Sequence, residues 1–504
     1  MKTLFLPMIG CGLLLATSAQ AQVNPTRPTR GPSPKPPVVS QPVDCGCEDK
    51  PLPEVLSMVN GIRISKLDIS EETQKRIRDL QQQVIDARTR EVDLQINSFL
   101  LEAEAKKRGM NTTKLLEAEV VAKVAAPTEA EARAFYDQNK ARITSEFTNV
   151  RQDIIGYLTD QRQRDAAKKL ADRLRAAGVL KISNEAVTPG LTPAARARVF
   201  ATVNAKNITS GDVEDSLKPL IFSVQESVYE LRKREIDVRI NDALLEQEAK
   251  KRAITTTSLL ATEVTAKVPA ISEADALKFY NENRERINGE FAQVKTQLLE
   301  YLKERALTSA QSDFAARLRS AAQVQMFLTP PQQPLYQIAV DDQPARGNPG
   351  TSVTVIEFTD FQCPNCAKQY SVVERLIAEY GTRVRFVVRD FPLAQYENSA
   401  KAAEAAEAAR EQGKYWDYVA LLYRNQAALQ VDRLKQYAST LGLDRTRFDS
   451  ALDSGKFADK ILRDRLDGQR VGVSSAPVFF VNGRRVTDPS YEGLKAAIER
   501  SLKP

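Results

Sequence analysis

The sequence predicts a multidomain chain: two all-α helical repeat domains, followed by an α/β domain with a helical insertion. Three observations carry this reading. At 504 residues the chain is longer than one hydrophobic core organises. Its middle repeats itself at a fixed offset. Its C-terminal third contains a strand, a CxxC motif (Cys363-Pro364-Asn365-Cys366), a helix and a second strand in immediate succession.

Residues 1–21 read as a signal peptide. Lys2 gives the positive start, Ile9 to Ala16 is a short apolar run, and Ala19-Gln20-Ala21 supplies small residues for cleavage before Gln22. The run is too short to span a bilayer. Gly10-Cys11 raises lipidation, but the stretch before Cys11 is cramped for a lipoprotein signal, so a cleaved leader is expected. A periplasmic or otherwise exported protein follows, in a compartment where disulfides form and persist.

Composition narrows the chemistry. The formal net charge is +7, and no Lys/Arg block is interleaved with aromatics, so no nucleic-acid partner is expected. Histidine is absent altogether, which removes Ser-His-Asp and Cys-His catalysis and every histidine-based zinc or haem site. No cofactor and no metal are expected, although a zinc site using all four thiolates of Cys45, Cys47, Cys363 and Cys366 is geometrically open.

Residues 22–54 form a Pro-rich linker that cannot bury a core, with Pro32, Pro34, Pro36 and Pro37 close together. The linker carries Cys45-Gly46-Cys47. Cysteines one residue apart close only a small, strained ring, and strained disulfides are readily reduced. The pair reads as a second redox pair exchanging with Cys363, as an intermolecular crosslink, or as thiols without a role.

Residues 55–184 and 196–328 are the two helical copies. Val59-Asn60 returns as Val203-Asn204, Glu104-Ala105-Lys106-Lys107-Arg108 as Glu248-Ala249-Lys250-Lys251-Arg252, and Phe135-Tyr136 as Phe279-Tyr280. Every pair keeps the same offset (204 − 60 = 144), a period far beyond solenoid repeats, so each copy is expected to be a small domain. Ile96, Phe99, Leu100 and Ala103 fall on one helical face. Thr128 and Ser272, each followed by acidic residues, are expected helix starts. The segments "INSFLLEAEAKKRGM", "TEAEARAFYDQNKARI" and "EFTNVRQDIIGYL" resemble the helical chaperone domain of SurA- and PpiD-type periplasmic proteins. That resemblance implies binding of unfolded polypeptide; no prolyl-isomerase domain accompanies it. The alternative is that the copies are spacers or dimerisation arms.

The α/β domain spans 335–504. Val353 to Phe358 reads as a buried strand, and Val384 to Val388 as a second, with CxxC where strand meets helix. A sulfur at a helix N-terminus is stabilised as thiolate by the helix dipole. Cys363 is therefore the expected attacking thiol, the more exposed of the two, and Cys366, one turn inside, the resolving one. Pro364 suits the first helical position, where its missing N–H costs nothing. A helical stretch from Asn398 to about Arg470 follows, then Ser475-Ala476-Pro477, a strand over Val478–Val481 and an Asn482-Gly483 turn.

The segments "EFTDFQCPNC", "GKYWDYVALLY", "LGLDRTRFDSAL" and "APVFFVNGR" resemble DsbA-family oxidoreductases, which have a thioredoxin-like fold. The resemblance implies that Cys363 is the nucleophile, Cys366 the resolving thiol and Pro477 a cis-proline that helps hold substrate. It also implies that Glu357 is a buried acid able to relay the proton of Cys366. Two residues depart from the pattern. Asn365 stands where DsbA has histidine, so no imidazolium stabilises the thiolate and a less oxidising disulfide is expected. Ala476 replaces the Thr or Val often found before the cis-proline, a second change to the redox tuning. The chain is thus expected to be an exported thiol–disulfide oxidoreductase acting on unfolded or cysteine-containing exported proteins and recycled by a membrane redox partner. The alternatives are a holdase or assembly factor with a structural thioredoxin domain, and a reductase for a dedicated client.

Overall fold

The computed structural model describes residues 45–48, 51–183, 187–340 and 342–503. The predicted leader, Cys11 and most of the Pro-rich linker lie outside the described residues.

The first copy begins with a hairpin, β1 (Val55–Val59) and β2 (Ile62–Ser65), and continues through α1 (Glu71–Lys107), α2 (Thr112–Glu119), α3 (Glu129–Asn139), α4 (Phe147–Ala177) and β3 (Leu180–Ile182). After the short α5 (Pro193–Arg196), the second copy repeats the order. It has the hairpin β4 (Val199–Val203) and β5 (Lys206–Thr209), then α6 (Ser210–Lys251), α7 (Thr256–Glu263), α8 (Glu273–Glu282), α9 (Phe291–Ser320) and β6 (Val324–Met326). Thr128 and Ser272 start α3 and α8 through capping boxes with Glu131 and Asp275, which satisfy backbone donors that the first turn leaves unpaired. Ala103, expected on the apolar stripe of α1, is exposed. Beyond Leu100 the helix changes partners, and Leu101 packs with Val120 and Leu170.

The copies do not pack as the separate small domains that the repeat suggests. Two compact units form among the described residues, one of 45–46, Val84–Phe222 and 333–503, the other of Cys47–Gln83 and Ser223–Gln332. In the first, β3 of copy one pairs with β4 of copy two. There Val92, Ile96 and Leu100 pack on Phe200, Val203, Ile208 and Val213. In the second unit, β1 of copy one pairs with β6 of copy two. There Leu56, Val59, Ile64 and Ile69 pack on Ile236, Ile240 and Leu244. These are the same positions 144 residues apart, so each hairpin is buried by the long helix of the other copy. The segments 55–184 and 196–328 therefore describe the repeat, not the packing units.

The C-terminal region adds β7 (Ala345–Gly347), β8 (Thr354–Thr359), α10 (Pro364–Tyr380) and β9 (Arg385–Asp390). The helical insertion follows as α11 (Ser399–Arg410), α12 (Tyr415–Arg424), α13 (Val431–Thr440), α14 (Arg445–Asp453) and α15 (Ala458–Arg470). The chain closes with β10 (Val478–Val481), β11 (Arg484–Arg485) and α16 (Tyr491–Leu502). The five strands order as β11-β10-β8-β9-β7, with β8 and β9 parallel and the other pairs antiparallel. Both faces of β8 are covered, which is why it reads as a near-continuous apolar run. Val355 packs with Val373 and Leu376 of α10 and Leu494 of α16, while Ile356 and Phe358 pack with Val387, Val473 and Phe480.

The insertion packs around alanine-rich α11, where Ala402, Ala405, Ala406 and Ala409 let neighbouring helices approach closely. Buried charge ties it to the sheet. Arg389 of β9 bonds Asp464 at 3.0 Å, and Lys460 reaches Asp464 at 3.0 Å and Gln343 at 2.9 Å. Among the described residues, no helix is long and apolar enough to cross a membrane.

The hairpin turns give a stability test. Asn60-Gly61 sits at φ 46° and 83°, the left-handed values of a type I′ turn, whereas Asn204-Ala205 takes φ 47° and 70° with alanine in the second place. A Cβ in that region costs about 1 kcal/mol. Ala205→Gly is expected to stabilise the protein by about that amount, read as a rise in the unfolding midpoint in urea.

Candidate active site

The pairing of β8 with β10 assembles the site. Because they run antiparallel with Val478 opposite Phe358, the residues just before β10 lie beside those just after β8. The first group contains Ala476 and Pro477, joined by a cis peptide bond. The second leads into Cys363, the N-cap residue of α10, with Pro364 at the first helical position. The Ala476 carbonyl accepts from Cys363 Sγ at 3.5 Å. Cys363 and Cys366 are free thiols.

Cys363 keeps 3% of its surface and Cys366 0%, so Cys363 is the more exposed of the two but both sulfurs are buried. The cause is local: the two cysteines and Ala476 form an apolar cluster on which Leu393, Tyr396 and Tyr423 pack. Pro364 and Asn365 are exposed, so the rim of the site is open while its sulfurs are covered. Burial pushes the Cys366 thiol well up, and negative charge on Cys363 or Glu357 would push it further. An inner thiol of this kind gives up its proton only to a nearby base.

Glu357 is the buried carboxyl on the strand that leads to the cysteines. It lies on β8 two residues before Thr359, is buried, and enters the electrostatic environment of Cys366. Burial holds its carboxyl up at about 7; the Glu374 carboxylate adds to the push and a hydrogen bond with Thr359 opposes it. The Thr359 hydroxyl also meets Tyr423 Oη at 2.8 Å.

Two residues that sequence reasoning missed hold the loop before the helix. Asp360 accepts from the Gln362 N–H at 2.7 Å and from Ser399 Oγ at 2.7 Å through Oδ1, and from the Leu393 N–H at 2.8 Å through Oδ2. The bond to Gln362 is an Asx turn, a local signal legible in Thr-Asp-Phe-Gln-Cys. Gln426, in the turn after α12, donates to the carbonyls of Cys363 at 2.8 Å and Phe361 at 3.0 Å, a contact with no local signal. Cys45 and Cys47 are disulfide-bonded and buried, and the cluster around Cys363 does not include them.

The family described as "Thioredoxin" matches residues 339–500. The C-terminal domain is thioredoxin-like. Among solved structures, BdbD from Bacillus subtilis is similar at 23% identity, covering 34% of this chain and 100% of that one, with a TM-score of 0.32. A thioredoxin-like oxidoreductase from Silicibacter pomeroyi DSS-3 is similar at 30% identity, covering 32% and 94%, with a TM-score of 0.31. Among curated proteins, the Na(+)/H(+) antiporter NhaA 3 of Salinispora tropica is 41% identical over 160 residues, 31% of this chain and 24% of that protein. The chain thus spans about a quarter of the length of the curated relatives it matches.

The raised Glu357 carboxyl makes a stability prediction whose sign is fixed. Its ordinary value is 4.5 and its folded value about 7, so the folded state holds its proton longer than the unfolded state. Ionising it destabilises the fold progressively from pH 4.5 to 7, and the full cost, of order 3 kcal/mol, applies above that. Glu357→Gln in the reduced protein is expected to match wild type at pH 4 and to be more stable at pH 8, read by urea denaturation. Equal stability at pH 8 would contradict the assignment.

Proposed function

We propose that this chain is an exported thiol–disulfide oxidoreductase that acts on the cysteines of other exported proteins through Cys363 and Cys366. One observation carries the reading. Cys363 occupies the N-cap of a helix, with the fully buried Cys366 one turn behind it and the buried carboxyl of Glu357 on the preceding strand. The buried Cys366 makes the mixed disulfide resolvable only when its proton is taken. Pro477 and the Ala476 carbonyl beside Cys363 offer a backbone edge on which an extended client segment adds as a strand. This DsbA-type reading keeps Cys363 as nucleophile, Cys366 as resolving thiol and Glu357 as its proton acceptor. Pro364 sets the helix start, and Asn365 and Ala476 tune the potential.

Asn365 brings no positive charge to the thiolate, so the direction of exchange is set by the partner and the compartment. In the proposal a membrane redox partner recycles the site. The signal-like residues 1–21 support export, and the SurA- and PpiD-like pattern of the repeats supports a role in holding unfolded client. Fusion of a holding surface to the redox domain makes the second encounter effectively intramolecular. The burial of Cys363 favours a second reading, in which the chain is a holdase or assembly factor and the thioredoxin-like domain a scaffold.

Insulin reduction and scrambled-ribonuclease refolding separate the two. Wild type is expected to be active and Cys363→Ser to fall to the uncatalysed background; equal inertness of both proteins would leave the scaffold reading. For the repeats, the full-length Cys363→Ser protein is expected to slow aggregation of a denatured client at stoichiometric ratios. Absence of any effect would make them spacers.

A further inference from the structure

Three side chains cover the two sulfurs: Leu393, Tyr396 and Tyr423. Only the tyrosines carry a hydrogen-bond donor, and the Tyr423 hydroxyl is already paired with Thr359 at 2.8 Å. Among the described residues, no acceptor takes the Tyr396 hydroxyl proton. The ring is half-buried between exposed Gln395 and Glu397, so it stands where the covered sulfurs meet solvent.

The loop that carries Tyr396 is tied on both sides to the segment that leads into Cys363. Before it, the Leu393 N–H donates to Asp360 Oδ2 at 2.8 Å. After it, the Asn398 N–H donates to Gln362 Oε1 at 2.9 Å, and Ser399 Oγ donates to Asp360 Oδ1 at 2.7 Å. Asp360 and Gln362 therefore place the cysteine and the tyrosine together. The chain has no histidine and Asn365 is neutral, so a negative sulfur at Cys363 needs a donor from elsewhere in the fold.

We propose that Tyr396 is a catalytic residue whose hydroxyl donates a hydrogen bond to Cys363 Sγ whenever that sulfur carries negative charge. A neutral thiol is a weak acceptor and a thiolate a strong one, so the bond forms on ionisation rather than in the free-thiol state seen here. Burial holds the Tyr396 phenol above its ordinary value of 10, and charge on Cys363, Asp360 and Cys366 raises it further. The hydroxyl thus keeps its proton, and can share it, throughout the range in which a thiol titrates.

The assignment deepens the redox reading and rests on it. When Cys363 attacks a client disulfide, the Cys363–client bond forms and the other client sulfur leaves with the electron pair, taking a proton from solvent. In the reverse direction a second client thiolate attacks the client sulfur of the mixed disulfide, the client disulfide forms, and Cys363 leaves with the pair. The negative sulfur is the same one in both directions, and Tyr396 stabilises it without giving up its proton.

The test is the equilibrium of the Cys363–Cys366 pair with glutathione in the full-length protein, read by alkylation and mass spectrometry from pH 5 to pH 9. Tyr396→Phe keeps the ring and removes the donor. At pH 9 it is expected to shift the equilibrium toward the disulfide by about tenfold, the worth of one hydrogen bond to a charged group. The two proteins are expected to converge at pH 5, where the sulfur is a thiol in both. The titratable groups that face Tyr396 are Cys363 and Cys366 of α10 and Asp360 after β8, with Glu397 exposed beside it. Glu357, held up at about 7, and Tyr423 border Cys366 in both proteins alike, so they cancel in the ratio. Equal constants at every pH, or a shift that does not change with pH, would reduce Tyr396 to a packing residue and overturn the proposal. The readout needs no client. Inert wild type in the insulin assay would sink the redox reading alone, whereas unshifted constants in an active enzyme would sink only the role of Tyr396.

Discussion

The antiparallel register of β8 with β10 is the constraint on which the site depends. Val478 opposite Phe358 places the Ala476 carbonyl against Cys363. It also sets Glu357 opposite Phe479, inside the sheet rather than at its edge. A slip by one residue would turn every side chain of β10 to the other face, setting Phe480 among the partners of Phe479 and moving Ala476 away from the sulfur. The register is held because both faces of β8 and β10 are buried. The Asn482-Gly483 turn then fixes β11, and a side chain at Gly483 would meet the Tyr336 carbonyl at 2.3 Å. The placement of Cys363 at the N-terminus of α10 is thus a consequence of how the core packs.

That packing creates the electrostatic contrast the proposed mechanism uses. Cys363 sits at the positive end of a 17-residue helix. Cys366 lies one turn inside with no solvent contact, and its neighbour Glu357 is poised near neutral pH by the same loss of water. Asp360 and Gln426 hold the loop between strand and helix. Asn365, exposed on the rim, adds no charge to this arrangement.

Much of this was legible in the sequence because its causes are local. The CxxC at a strand–helix junction, the proline before a strand, the Asn-Gly turn and the capping residues Thr128 and Ser272 each act within a few residues. What was not legible is long-range. Gln426 lies 63 residues from the carbonyl it holds. The burial of Cys363 comes from Leu393, Tyr396 and Tyr423, none of which carries a redox signature. The exchanged hairpins could not be read at all. Val59 and Ile64 need the apolar face of a long helix, and Ile96 of one copy and Ile240 of the other are equivalent partners. The hydrophobic pattern is the same whether or not the hairpins exchange.

The fusion of exchanged helical units to a redox domain makes sense if Cys363 forms a covalent intermediate with a protein that the chain also holds. The most direct measurement is trapping. Full-length protein carrying Cys366→Ser is incubated with an unfolded client containing one disulfide, and the adducts are mapped by mass spectrometry without reductant. The account predicts a mixed disulfide at Cys363 that accumulates because nothing resolves it, and none when Cys363 is also replaced by serine. Adducts confined to Cys45 or Cys47, or no adduct in either protein, would contradict it.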